Sequence, residues 1–430
     1  MKAIISNRIY LSDPGREIAN TITKALTYKF AKNTGNKQFS TIETVRTYKK
    51  LTSGIFSIPQ GREDLIPENW EVVDNRIFNP VPFPDPKFEL RPDQLEVYDQ
   101  VVDTCFINAL VGWGKTFTAL HLARKLGQKT LVITHTTTLR DQWIQEVSTL
   151  FGVNPGIIGS GKFDIEDHFI VVSNIQSLKK YKDKISKEFG TVILDEAHHC
   201  PASTFTEIID SSYARYRIAL SGTLKRKDEK HKLFQDYFGF TIYKPAQANT
   251  INPIVRLVNT NRTLKPGATW ADKITDLTLD DEYRQFISKV AKTYASKGHS
   301  VLIIADRVEF LEKVAEYVGK TCVLVTGDTS FEERERAKQQ LLSKEKMCVA
   351  GSRQIFSEGI SINVLSCVIL ATPFSNEILL EQIVGRIMRP FDNKPQPIVL
   401  DMQFAGWADK KQNNDRLSFY LRKGWDISSI

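Results

Sequence analysis

Three clusters in this 430-residue chain combine residue types that handle phosphate. The first is Ala109-Leu110-Val111-Gly112-Trp113-Gly114-Lys115-Thr116. Its glycines let backbone N–H groups turn toward phosphate oxygens, and a helix opening behind them adds its positive end. At this spacing Lys115 reaches the β and γ phosphates of a nucleotide, and the Thr116 hydroxyl binds Mg²⁺. The second cluster is Thr191-Val192-Ile193-Leu194-Asp195-Glu196-Ala197-His198, an apolar run that ends in two acids. An Asp at a strand tip beside a phosphate loop can hold Mg²⁺ through water, and the next Glu can polarise an attacking water. The third is Gln382-Ile383-Val384-Gly385-Arg386-Ile387-Met388-Arg389. Two arginines three apart share one face of a helix. Their planar guanidinium groups suit transition-state phosphate oxygens, although an exposed basic helix face would read the same way.

Such clusters work only if strands and helices aim them. Apolar, β-branched runs predict strands at Phe106–Leu110, Thr130–Thr134, Phe169–Ser173, Thr191–Asp195 and Arg217–Ser221. Amphipathic stretches predict helices such as Lys115–Leu126 and Thr138–Leu150 between them. This alternation implies a parallel sheet covered on both faces. A second series follows at Val301–Ala305, Cys322–Thr326, Met347–Ala350, Val368–Ala371 and Pro397–Asp401, with a hinge expected in Phe238–Pro253. Pro80, Pro82, Pro84 and Pro86 alternate within eight residues and read as a stiff extended linker. The predicted organisation is a basic domain at 1–79, a linker at 80–87, one α/β lobe at 88–245 and a second at 246–430.

Composition narrows the classes. The chain is 41% hydrophobic and 25% charged, too apolar for wholesale disorder. It has no apolar run of membrane-spanning length and no secretory leader, so a cytoplasmic protein is expected, in the host cytoplasm if phage-encoded. Cys105, Cys200, Cys322, Cys348 and Cys367 are odd in number and scattered, which argues against a disulfide scaffold. His198, His199 and Cys200 lack a second ligand pair, so zinc is rejected. The net charge of +8 is uneven: the first sixty residues carry +7 and the remaining 370 only +1. Tyr10, Tyr28, Phe30, Phe39, Tyr48 and Phe56 interleave with those bases. We read the charges as a nucleic-acid surface and the aromatics as the core of a small domain with strands at Ala3–Leu11, Thr41–Lys49 and Ile55–Ile58 and a helix near Arg16–Thr27.

Together the motifs resemble the superfamily 2 helicases from Phe88 to Arg389. Phe88-Glu89-Leu90-Arg91-Pro92-Asp93-Gln94 resembles the adenine-reading Q-motif element, which implies base contacts from Gln94 and Arg91. Ala109–Thr116 resembles motif I, and Thr136–Trp143, with Leu139, Gln142 and Trp143, motif Ia. Asp195–His198 has the DEAH form of motif II, and Ser221-Gly222-Thr223 is similar to motif III; His198, Ser221 and Thr223 would couple the sites. Val301–Arg307 resembles motif IV. Motif V is resembled by Gly351-Ser352 through Glu358-Gly359-Ile360-Ser361-Ile362, with Gly359 at the nucleotide and Ser361 where many relatives carry Asp. Gln382–Arg389 resembles motif VI, which gives Gln382, Arg386 and Arg389 catalytic roles beside Lys115 and Glu196.

The resemblance implies two RecA-like lobes, ATP and Mg²⁺ as cofactors, and a nucleic-acid strand gripped by strand-end loops. Those loops hold Thr136, Thr137, Ser173, Asn174 and Gln176 in the first lobe and Thr326, Gly327, Gly351 and Ser352 in the second. Within the superfamily the chain is most similar to the UvsW-type helicases of tailed phages, relatives of the XPB group. That implies a monomeric motor, with no membrane partner, that unwinds or branch-migrates forked and junction DNA in replication, recombination or repair. A duplex translocase that does not separate strands, an RNA helicase and the motor subunit of a larger assembly share the same motifs. A binding protein on an inactive ATPase fold is disfavoured by the intact Lys115, Thr116, Asp195, Glu196, Arg386 and Arg389.

Overall fold

A computed structural model describes residues 1–33, 40–51, 54–110, 112–197, 202–222, 230, 232–245, 250–264, 269–358 and 362–430. The chain divides into two compact units, Met1–Ala246 and Gln247–Ile430. Among the described residues no helix is long and apolar enough to cross a membrane.

The main sheet of the first unit runs in the order Lys162–Asp164, Gly156–Gly159, Ile170–Asn174, Thr130–Thr134, Thr191–Leu194, Tyr216–Ser221, Cys105–Asn108, Ile242–Tyr243. All pairings are parallel except that of the edge strand Lys162–Asp164. The three central strands are buried along their whole length. Only strands covered on both faces tolerate such unbroken Val, Ile and Leu runs. One face packs Leu120 and Leu122 of the helix Lys115–Leu126 and Trp143, Val147 and Leu150 of Thr137–Phe151. The other packs Ile175, Phe205, Ile208, Phe234 and Phe238. The predicted strands fall in place with ends shifted by a residue or two, as at Cys105–Asn108.

The N-terminal part departs from expectation in three ways. The single predicted strand Ala3–Leu11 is a hairpin, Lys2–Ile5 and Ile9–Ser12, whose turn is the polar Ser6-Asn7-Arg8. It joins Ile55–Ile58, Lys49–Lys50 and Glu71–Asp74 in a five-stranded sheet, packed by the helix Gly15–Ala25. A separate ribbon pairs Thr27–Asn33 with Ser40–Arg46. Second, the proline segment is a strap. The Val81 amide donates to Gly127 O, the Lys87 amide to Leu150 O, and the Phe83 ring lies 4.8 Å from Phe169. Prolines hold this stretch extended along the lobe.

Third, part of the basic charge faces inward. Arg8 is 2% exposed and binds Asp210, Ser57 and the Thr47 carbonyl. Lys49 also pairs with Asp210. Arg62, Tyr28 and Thr47 all donate to the buried carboxylate of Asp236. Arg217, fully buried in the strand Tyr216–Ser221, donates to the carbonyls of Asn7, Ile209 and Ser212. Burial pushes its guanidinium down to about 9. The N-terminal sheet is therefore bound to the lobe by buried ions, and its surface field is weaker than the +7 count implies. Phe30 and Phe56 are buried, as expected of core residues. Phe39 lies outside the described residues.

The second unit is a fully parallel sheet in the order Cys322–Val325, Cys348–Ser352, Ser300–Ala305, Leu365–Leu370, Ile398–Gln403, Ile254–Asn259, Asp426–Ser429. The last two strands were not expected. Beneath the sheet Arg416 and Asp401, 2% and 0% exposed, form a fork–fork ion pair joined by the Tyr420 hydroxyl.

Candidate nucleotide site and nucleic-acid loops

The phosphate loop leaves the strand Cys105–Asn108 and enters the helix Lys115–Leu126. Gly112 and Gly114 have φ of 95° and 94°, the left-handed region where a side chain is strained. A Cβ on Gly114 would also sit 2.3 Å from the Gln94 amide nitrogen. Ala109 fits where the pattern has Gly: its methyl joins the core, its amide donates to Ser221 O and its carbonyl accepts from Lys115 Nζ at 3.0 Å. Leu110 and Thr116 are half-buried, and Trp113 is buried. Val111 lies outside the described residues.

Lys115 Nζ also stands 3.7 Å from Glu196 Oε1, so the first two clusters meet. Asp195 ends the strand Thr191–Leu194 at 5% exposure. Its two carboxylate oxygens accept from Trp143 Nε1 at 2.7 Å and from the Glu196 amide at 2.9 Å. Burial and the neighbouring Glu196 charge raise its pKa to about 6, against the pull of the two donors and Lys115. Glu196 has φ of 43°, uncommon for a residue with a Cβ and typical of strain kept at functional sites.

The Trp143 bond is the feature that sequence reasoning missed. Trp143 closes the stretch Thr136–Trp143, but nothing in the residue type announces the partner 52 residues away. Trp143→Phe keeps one aromatic ring, deletes the donor and leaves a gap where the buried indole stood. A hydrogen bond to an ionised group contributes about 1.5 kcal/mol or more, so steady-state ATP turnover of the folded protein is expected to fall about tenfold, beside a lowered melting temperature from the gap. Unchanged turnover would make the contact merely structural.

Gln94 is 1% exposed; its carbonyl accepts from the Arg91 amide and its amide donates to Trp113 O. Arg91 donates to Trp113 O as well and contacts Asp93. Both residues thus brace the phosphate loop in this structure. Ser221 closes its strand opposite Asn108, beside the loop. His198, Thr223, Gly359 and Ser361 lie outside the described residues, as do His199 and Cys200.

The expected nucleic-acid residues split into two groups. Thr137, Gln176 and Gly327 are exposed at strand ends, and Ser352 is half-buried. Thr136 and Asn174 cap helices, accepting from the amides of Leu139 and Ser177. Two expectations are corrected. Ser173 is fully buried and its hydroxyl donates to the Ile158 carbonyl, so it cannot touch a strand. Gly351 is buried under the Phe356 ring, which a Cβ would approach to 2.1 Å, so it is a packing glycine. Thr326 is 6% exposed, and its amide donates to the Thr329 hydroxyl.

In the second unit Gln382 and Arg386 are buried within the helix Glu377–Ile387, and Arg386 Nε donates to the Phe356 carbonyl at 3.0 Å. The helix ends at Ile387 with Met388 as its cap, so Arg389 lies beyond it and binds Asn363. The expectation that both arginines share a helix face is corrected: Pro390 follows, and a residue preceding proline is driven out of the helical region.

Residues 87–226 match the family model for the res subunit of type III restriction enzymes, and 283–390 match the helicase conserved C-terminal domain. The chain is 40% identical to the probable helicase D10 of Escherichia phage T5, over 99% of its own length and 95% of that protein. It belongs to the superfamily 2 helicases. It is a helicase of the phage and viral type, a nucleic-acid-dependent ATPase that uses ATP and binds nucleic acid. This helicase is also 25% identical to the ATP-dependent DNA helicase uvsW of Enterobacteria phage T4, over 60% of its length and 55% of that protein. Among solved structures, S. cerevisiae Dbp5 bound to RNA and ADP–beryllium fluoride shares the fold, with a TM-score of 0.57, 11% identity, and coverage of 80% of this chain and 94% of that one.

Proposed function

We propose that the chain is a monomeric motor that uses ATP to unwind or branch-migrate forked and junction DNA in phage replication, recombination or repair. The observation that carries the motor is the meeting of Lys115, Asp195 and Glu196 at one strand end, the charge arrangement that phosphoryl transfer requires. Support for DNA as substrate comes from the T4 relative, which is described as a DNA helicase. The donor set at Asp195 and Thr116 is hard oxygen, and both donors on Asp195 favour its ionised form, which fits Mg²⁺. There Thr116 and Asp195 would hold the ion, which supplies charge neutralisation at the phosphates. Lys115 binds the phosphates, Glu196 orients the attacking water, and Arg386 and Arg389 act on the transferring group. Backbone-gripping contacts at Thr137, Gln176, Gly327 and Ser352 position a strand without reading its sequence.

The test compares ATPase stimulation and strand separation across single-stranded DNA, duplex, forks, four-way junctions and RNA. The proposal expects the largest stimulation by forks and junctions, with ATP-dependent release of a labelled strand. Stimulation without release identifies a duplex translocase, and a preference for RNA rejects the DNA reading.

A further inference from the structure

A dense run of positive charge lies in the first lobe, at Lys179, Lys180, Lys182, Lys184 and Lys187, with Asp183 as the one acid inside it. It follows Gln176 without a break: the short helix Ile175–Leu178, which holds Gln176 just past the strand end, passes into a 3-10 turn at Lys179–Tyr181 and a second short helix at Lys182–Ile185. At about 1.5 Å per residue, the run begins one turn from Gln176.

The five lysines differ in how they are held. Lys179 and Lys182 both pair with Glu207, at 3.3 and 2.8 Å, and their charge is largely answered. Lys180 and Lys184 are exposed, and among the described residues neither makes an ion pair. Each ammonium instead stands near an aromatic ring, Lys180 4.9 Å from Tyr181 and Lys184 5.8 Å from Phe163. The two rings pack on each other at 4.6 Å with 37° between their planes. A ring face steadies an ammonium but does not neutralise it. Lys187, also exposed and in no ion pair among the described residues, stands apart from these rings, 5.0 Å from Tyr213. The cluster of Lys180, Tyr181, Phe163 and Lys184 itself presents two uncancelled charges, beside the edge strand that carries Lys162.

We propose that this cluster is a second nucleic-acid surface, a seat for the phosphate backbone of a duplex arm outside the strand-gripping loops. The engagement of the rings favours duplex over single strand. A single strand is held by bases stacking on open aromatic faces, and here, although Phe163 is 38% exposed, the two rings lean on each other and each has a lysine ammonium over it. Only ammonium groups remain to be read, and phosphates outside a duplex are what they fit. A surface of this kind would orient the arm of a fork relative to Gln176. The inference rests on the DNA reading given above.

The test is Lys180→Ala/Lys184→Ala in the full chain, with binding measured by anisotropy against a fork with duplex arms and against a single-stranded oligonucleotide. Two lost phosphate contacts should lower the salt slope for the fork by about 1.8. Raising salt from about 50 to about 200 mM should then weaken the wild type about twelvefold more than the variant. Single-strand binding and ATPase without DNA should be unchanged. An unaltered fork slope overturns the proposal, and so does an equal loss on the single strand, which would mark a strand-binding surface. A wild-type chain that binds no fork strikes the DNA reading itself; a wild type that does, with an unaffected variant, strikes the duplex seat alone.

Discussion

Lys115→Ala is expected to lower ATP turnover by about a thousandfold while the protein stays folded and still binds nucleic acid. The ammonium is the cation that bridges the phosphate loop and the acidic strand end in the first unit's site, 3.0 Å from the Ala109 carbonyl and 3.7 Å from Glu196. When a nucleotide enters, this charge moves from those protein oxygens to phosphate oxygens whose negative charge shifts as the bond breaks. A preorganised donor aimed at developing charge contributes about 3–4 kcal/mol, or two to three decades in rate. The truncation removes charge and length at the first residue of the helix Lys115–Leu126, where alanine is a good helix former, so the cost in stability is about 1 kcal/mol. Coupled-enzyme ATPase measurements with saturating DNA, beside a DNA-binding titration, check both halves. Full turnover in the variant would reject the site.

Asp401→Ala is expected to destabilise the second unit by about 3–5 kcal/mol. The carboxylate is completely buried and answers the Arg416 guanidinium through both oxygens, while Tyr420 donates to it as well. Removing it leaves a guanidinium in the core whose remaining acceptors are Phe374 O, Met402 O and Asn413 Oδ1. An unpaired buried charge costs more than the pair ever contributed, because the pair itself barely offsets its desolvation. Asp401→Leu/Arg416→Met, which removes both charges, should therefore lose much less than Asp401→Ala. Chemical denaturation of the three proteins gives the comparison. A single variant no less stable than the double would show that water reaches the site.

The first unit's centre was legible because each signal came twice. Glycines at 112 and 114 mark a turn, and the unbroken run Thr191–Leu194 marks a buried parallel strand beside it. Legibility failed where one residue type serves two purposes. Ser173 and Thr136 carry hydroxyls suited to a phosphate, but the same hydroxyls satisfy backbone groups at a strand end and a helix cap. Arg8 counts as surface charge in any tally of composition, yet its pairing with Asp210 places it inside. The edge strand Asp426–Ser429 is illegible because it is short and polar, with one apolar residue among four, and Ile254–Asn259 because Arg256 interrupts its apolar run. Spacing alone carries Arg389 onto the helix, but Pro390 behind it ends the helical run.

Arg217 binds the N-terminal sheet and the first lobe into one heritable piece. Its guanidinium spreads one hydrogen-bond arm over three carbonyls, and one of them, that of Asn7, belongs to the hairpin turn of the sheet. A chimera that grafts a foreign domain before the proline strap must supply a carbonyl at that point or leave the cation short of an acceptor. The sheet and the lobe whose buried arginine it covers are in this sense exchangeable only together.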